Sequence, residues 1–226
     1  MLYCGQPAMA PRNRLTLDDA LSAQVDVAVG HLNRGGVVAI PTDTLYGLAA
    51  SAVDPEAVAL VFQIKGRPGG MAMPVLLADP QDLDLYATNV SEVARELANR
   101  FWPGPLSLVL TRSEAMPDAA AAGRETIALR VPDHPVPRAI ARRLGTPITG
   151  TSANPTGQPA ATTAAKVREQ LGDAVDLVVD AGESPIGEGS TILDVTGPTL
   201  VALRVGSVSI ADISDATGMP VTSSLG

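Results

Sequence analysis

Residues 35–48 read GGVVAIPTDTLYGL, and the change of character halfway along them decides the fold. Residues 37–40 are apolar and rich in β-branched side chains, which predicts a short buried strand. They run without a break into Pro41, Thr42, Asp43 and Thr44, with Tyr46 two places on. Three polar side chains where a core run stops make either a side-chain-capped turn or the floor of a site.

The flanks supply the architecture. Upstream, Leu17, Leu21, Val25, Ala28 and Leu32 recur at helical spacing; Thr16 and Asp18 suit the cap, and Gly35-Gly36 ends the helix. Downstream, Asp54-Pro55 opens a second helix through EAVALVFQIK. Ser91 caps a helix at 92–101, Pro135 or Pro137 starts one at 134–145, and another over 162–172 stops at Gly172. Strands are predicted at 74–78, 106–111 and 126–131, and TPITGTS (146–152) enters as a strand and leaves as a loop. Three more follow closely at 176–180, 190–195 and 199–205, before a last short helix at 209–218. Helices and strands alternate early and strands cluster late. That predicts a single α/β domain with a twisted, mixed, partly parallel sheet flanked by helices. The expected boundaries are a flexible N-terminal tail over 1–14, one domain over 15–210 and a C-terminal tail over 211–226.

Composition excludes several function classes. Of 226 residues, 46% are hydrophobic and 18% charged, which suits a globular chain. No apolar run approaches the roughly 18 residues that span a bilayer, and the N-terminus lacks the basic start and apolar stretch of a secretory signal. Cys4 is the only cysteine, so no internal disulfide forms, as expected in a reducing cytoplasm. With only His31 and His134 besides, Cys/His zinc sites and a Cys–His nucleophilic pair are excluded. The net charge of −8 and pI near 4.7 argue against coating a nucleic-acid backbone. Aromatics at 3% are too few for a stacking platform.

Polar residues gather at strand-to-loop junctions: PTDTLYG (41–47), KGRPGG (65–70), RVPDH (130–134), TGTSANPTG (149–157), GEGSTILD (187–194) and Arg204 in LRVG. Ligands of open α/β sheets bind beyond the carboxyl ends of strands, so convergence of these junctions would form one pocket of hydroxyls, an amide and cations. Each junction also has a plainer reading. KGRPGG can be a helix C-cap, with Lys65 and Arg67 at the negative helix end. SANPTG can be a turn, Arg130 can lie on a solvated strand face, and Arg204 can pair with an acid. A P-loop, a dinucleotide fingerprint and a G-x-S-x-G elbow are all absent, so any nucleotide is held by side chains and loop amides of another design.

PTDTLYGL, KGRP, ALRVPDHP, TSANPTG, GSTILDV and LRVG stand in the order found in the YrdC-like family, which the chain resembles from about residue 15 to 210 in its short, single-domain form. The resemblance implies a deep, positively lined cavity and synthesis of threonylcarbamoyl-AMP from L-threonine, bicarbonate or CO2, and ATP. Pyrophosphate is released, and the product serves N6-threonylcarbamoyladenosine formation in tRNA. It implies that Lys65 and Arg67 are catalytic and bind the triphosphate, with Thr126, Ser152, Asn154 and Arg204 also at ATP. Thr44, Arg130, Gly150 and Ser190 would hold threonine, and Mg²⁺ would arrive with ATP rather than on side chains. Within PTDT, Thr44 is the expected substrate contact. Thr42 and Asp43 are expected to fix the turn, and Tyr46 to wall the cavity with its hydroxyl toward the ligand. The implied partner is a downstream tRNA threonylcarbamoyl transferase complex, with no direct tRNA contact and no membrane. Relatives often carry polar groups where Met71 and Leu76 stand, and a serine at Ala160; the Gly- and Met-rich segment 66–74 reads as a mobile lid. The rival readings are a YrdC-like paralogue without synthase activity that binds nucleotide or double-stranded RNA, and the carbamoyl-adenylate domain of hydrogenase maturation.

Overall fold

The computed structural model describes residues 17–66 and 72–224. Helix α1 (Asp19–Leu32) starts where Asp18 accepts the Leu21 N–H at 2.8 Å, and it buries Leu21, Val25, Ala28 and Leu32, the stripe that its spacing predicts. Strand β1 (Val38–Ile40) is wholly buried and pairs antiparallel with β2 (Gly47–Ala49), so the polar turn at 41–46 is closed by a hairpin-like pair. Helix α2 (Pro55–Lys65) has Asp54 as cap and ends at Gly66, which is left-handed at φ 58°.

Strand β3 (Val75–Leu76), helix α3 (Leu83–Tyr86), strand β4 (Ala87–Thr88) and helix α4 (Glu92–Phe101) lead to β5 (Leu106–Arg112). Helix α5 (Asp118–Ala121), β6 (Thr126–Arg130), α6 (Pro135–Leu144), β7 (Ile148–Thr149) and β8 (Thr151–Ser152) follow. The chain then forms α7 (Ala164–Leu171), β9 (Leu177–Val178), β10 (Thr191–Asp194), β11 (Leu200–Arg204), α8 (Ile210–Thr217) and β12 (Val221–Ser223).

The strands divide into two sheets. The smaller runs β8-β2-β1-β9; the larger runs β12-β11-β10-β5-β6-β3-β7, with β4 also on β5. Parallel pairs (β1 with β9, β10 with β5, β3 with β6, β11 with β12) mix with antiparallel ones, so the α/β, mixed, helix-flanked expectation holds with two sheets instead of one. One core cluster centres on Tyr46, Leu97, Trp102, Leu106, Leu108 and Ile127. The other joins α1 to α6 through Val25, Leu32, Val136 and Ile140.

Two readings are corrected here. The segment after residue 210 is not a tail throughout, because α8 is capped by Ser209 and β12 adds to the edge of the larger sheet beside β11. Strand β2 lies inside a motif that reads as loop. The expected tail over 1–14 and most of the expected lid, including Arg67 and Met71, lie outside the described residues.

Gly150 carries the chain from one sheet to the other, between β7 and β8, and its N–H donates to the Pro74 carbonyl at 2.8 Å. A Cβ there would lie 2.8 Å from Cγ and Cδ2 of the buried Leu76 and 3.3 Å from that carbonyl. Gly150→Ala is therefore expected to cost about 1–3 kcal/mol through overpacking. Urea denaturation checks it, and an unchanged midpoint would show that Leu76 gives way without cost.

Candidate functional site

The turn at 41–46 is built by Thr42. Its Oγ1 accepts the N–H groups of Thr44 (3.1 Å) and Leu45 (3.2 Å) and donates to the Leu45 carbonyl at 2.7 Å. That carbonyl takes the only hydroxyl proton of Thr42, so the 2.9 Å contact between the Thr42 and Thr44 hydroxyls uses the proton of Thr44. Thr44 Oγ1 also accepts from Arg130 Nη1 at 3.0 Å. What Thr44 has left for a ligand is a lone pair, which matches a donor such as an amine or a hydroxyl.

Arg130, the last residue of β6, is buried, which removes the solvated-face reading. Three of its nitrogens are fixed: Nε donates to the Gly104 carbonyl (2.9 Å), Nη1 to Thr44, and Nη2 to Asp43 Oδ1 (2.5 Å). Asp43 thus pairs with Arg130 instead of bonding the turn's own backbone, which corrects its expected role. Gly104 sits where a side chain would strike the Phe101 carbonyl, so only glycine brings its own carbonyl this close to the arginine. Tyr46 is also corrected. Its ring walls the cavity, but its hydroxyl donates to the Gly182 carbonyl at 2.7 Å, and burial, followed by the Asp180 charge, raises its pKa to about 12.

Lys65, at the last turn of α2, points its ammonium at the loop after β8. Nζ donates to the carbonyls of Ser152 (2.6 Å) and Asn154 (2.8 Å) and lies 3.4 Å from Asn154 Oδ1. The Asn154 amide in turn donates to the carbonyls of Pro155 (3.1 Å) and Gln158 (2.6 Å), so its donors are engaged within the loop. Lys65 and Gly66 therefore form a helix end with its glycine cap, and Lys65 is also a strut for the TSAN loop. Arg204 closes β11 and donates through Nε to the Ser190 carbonyl (2.9 Å) and through Nη2 to Ser190 Oγ (3.0 Å), bonds that go to a serine and not to an acid.

These groups surround one cavity of about 380 Å³. Thr44, Lys65, Arg130, Gly150, Ser152, Asn154, Ser190 and Arg204 all line it, together with Pro74 and Leu76. The sheet register explains the convergence. Arg130 and Arg204 end their strands, and Ser190 precedes β10, which runs against β11, so all three share one edge of the larger sheet. Thr126 begins β6, opposite Thr111 on β5. At about 3.3 Å per residue it lies some ~13 Å along the strand from Arg130, and it is not among the residues lining the cavity. Burial, followed by the neighbouring charge of Arg130, pushes the Arg204 guanidinium down from its ordinary range.

Sequence reasoning missed Ser107. It is fully buried on β5 with its hydroxyl 3.0 Å from that of Ser190, supporting a cavity residue from behind. The available signal was a lone hydroxyl inside the apolar run LSLVL.

Fold and site together define an α/β protein with one cavity lined by Lys65, Arg130 and Arg204 beside the hydroxyls of Thr44, Ser152 and Ser190. The chain belongs to the Sua5/YciO/YrdC family, whose profile, described as telomere recombination, matches residues 30–206. It is similar to the threonylcarbamoyl-AMP synthase of Pyrococcus abyssi, 37% identical over 195 residues, which cover 86% of this chain and 57% of that one. The Bacillus subtilis protein of the same name is 38% identical over 196 residues, again 86% and 57% of the two chains. The chain thus spans just over half the length of these two relatives. Its structure is similar to that of P. abyssi Sua5 complexed with L-threonine, with a TM-score of 0.84 at 37% identity over 87% of this chain and 58% of that one.

Near the Arg130–Asp43 pair lies His134, buried at the start of α6, where its Nδ1 accepts the Val136 N–H at 3.2 Å. Burial pushes the imidazole down from 6.5 to about 4, partly offset by the Asp43 charge. Between those values the unfolded chain binds the proton and the folded chain does not. This contribution to stability is therefore full above pH 6.5 and lost as pH falls toward 4, roughly 3 kcal/mol in all. His134→Asn keeps an acceptor for the Val136 N–H and removes the titration. Its unfolding free energy is expected to fall less steeply than wild type between pH 6.5 and 4, as read by urea denaturation, and parallel profiles would exclude a neutral buried His134.

Proposed function

We propose that the chain is a threonylcarbamoyl-AMP synthase, a nucleotidyltransferase that joins L-threonine, bicarbonate or CO2, and ATP and releases pyrophosphate. The observation that carries the reading is the cavity edge where Arg130 and Arg204 oppose each other beside the hydroxyls of Thr44 and Ser190. Anions entering there meet guanidinium N–H donors and hydroxyls that line one cavity. The names of the relatives and the threonine-bound P. abyssi structure support the same reading.

In the proposed reaction, the threonine amine attacks CO2, forms an N–C bond and gives up a proton to water. A carbamate oxygen then attacks the α-phosphorus of ATP. The new P–O bond forms as the bond to the bridging oxygen breaks, and pyrophosphate leaves with that electron pair. Such a step needs alignment and charge neutralisation more than covalent help from the protein. Arg130 takes the threonine carboxylate on the N–H groups still open on its fork, and Thr44 accepts from the amine or the side-chain hydroxyl. Gly150 lets the backbone approach, and Ser190 completes this half.

Lys65, Ser152, Asn154 and Arg204 receive the triphosphate, joined by Arg67. Lys65 and Asn154 exchange loop bonds for phosphate bonds as they do so. Thr126 has no part in this scheme. Magnesium enters with the triphosphate, which supplies its oxygens, and the cations lining the cavity suit phosphate. The product passes to a tRNA threonylcarbamoyl transferase without tRNA entering this site. No helix among the described residues is long and apolar enough to cross a membrane; a cytoplasmic location is proposed from the lone cysteine of the chain.

The purified chain is expected to release pyrophosphate only when threonine and bicarbonate are both present, with threonylcarbamoyl-AMP identified by mass spectrometry. Release indifferent to threonine would sink the assignment, and nucleotide binding without turnover would favour the inactive-paralogue reading. Lys65→Met keeps the aliphatic stem and removes the ammonium. It should lower kcat/KM for ATP by about 100-fold, whereas near-normal kinetics would leave Lys65 a strut and nothing more. Thr44→Ala should raise the KM for threonine about tenfold with a smaller effect on ATP; equal effects would move Thr44 out of the threonine half.

A further inference from the structure

Asp43 is buried, and its two oxygens differ. Oδ1 takes the Arg130 Nη2 donor at 2.5 Å, while Oδ2 has no hydrogen-bond partner among the described residues. Asp43 does not line the cavity, although Thr44 and Arg130 on either side of the contact do. A buried carboxylate oxygen without a partner is costly, and replacing a buried ion pair by apolar groups is often neutral or better for stability. Folding alone gives little reason for this pair.

What the carboxylate does is geometric. A guanidinium is planar, so two contacts still allow it to tilt about the line joining them, whereas a third at the far nitrogen fixes its plane. Gly104 takes Nε and Thr44 takes Nη1, and Asp43 supplies that third point. The backbone after Asp43 is tied down independently: its carbonyl accepts the Ile186 N–H at 3.1 Å and that of Thr44 the Gly187 N–H at 3.0 Å. The acceptor therefore sits on a braced turn.

We propose that Asp43 is a positioning residue for the amino-acid substrate. It never touches the substrate, but it sets the plane in which Arg130 offers its remaining N–H groups to a single carboxylate. This rests on the functional reading above. It places the contribution of Asp43 in amino-acid affinity and not in phosphate handling.

The test compares Asp43→Ala with Asp43→Asn in threonine-dependent pyrophosphate release, with the melting temperature of each variant recorded. Asp43→Ala should raise the KM for threonine by at least about tenfold, the loss expected for a charge-assisted bond, with kcat and the KM for ATP changing less than about twofold. Asp43→Asn keeps an acceptor at Oδ1 and should recover the threonine KM to within about threefold of wild type. If Asp43→Ala does not fold, Asp43→Ser, which withdraws the acceptor but stays polar, replaces it in the same comparison. A threonine KM within twofold of wild type, an equal rise for ATP, or an asparagine variant as impaired as the alanine one would each overturn the proposal. Wild-type protein in the same assay separates the two levels. No threonine-dependent turnover would remove the functional reading and this inference with it, whereas intact wild-type turnover with an unaffected alanine variant would remove only the role of Asp43.

Discussion

Taking the Arg130 guanidinium and the Asp43 carboxylate out of water carries a penalty of several kcal/mol per ion, which the fold must offset by geometry. It does so by closing three bonds on Arg130 from two places far apart in sequence: the 41–46 turn after β1, and the Gly104 carbonyl just before β5. Arg130 itself ends β6, so this one side chain ties the two sheets together at the edge where the cavity opens. The position of Thr44 and the direction of its lone pair follow from that knot, and the 186–187 loop braces the same turn through the carbonyls of Asp43 and Thr44.

In the proposed reaction Lys65 plays the same part for the nucleotide half. Its ammonium gathers the carbonyls of Ser152 and Asn154, so the TSAN loop is shaped by the cation expected to meet the phosphates. Hydrogen bonds from an ammonium to an anion are roughly twice as strong as neutral ones, so exchanging carbonyls for phosphate oxygens is favourable in the proposed reaction. Ser190 couples the halves, because it accepts from Arg204 and leans on the buried Ser107, while Arg204 senses the charge of Arg130.

Much of this was legible in the sequence because it is local. The stripe of α1, the Asp54 and Ser91 caps and the apolar run of β5 each need only neighbours within a turn or a strand. The polar clusters at strand ends also pointed to the right edge, and their order carried the family. What was hidden depends on strand polarity or on distant partners. Thr126 and Arg130 sit in one motif, yet an extended strand puts its first and last residues at opposite edges of the sheet. Asp43 looks like a turn residue until Arg130, 87 positions away, arrives beside it. Strands β2 and β12 escaped notice because GLA and VTS lack the apolar, β-branched run that marks a buried strand; their pairing is set by β1 and β11.

In the proposed reaction the fork of Arg130, and not its charge alone, receives the amino acid. Arg130→Lys keeps a cation for Asp43 and loses the planar fork. Isothermal titration of L-threonine into wild type and Arg130→Lys measures the difference directly. One equivalent is expected to bind wild type, with affinity at least about tenfold weaker in the variant and the melting temperature little changed. Equal affinity in the two proteins would contradict it.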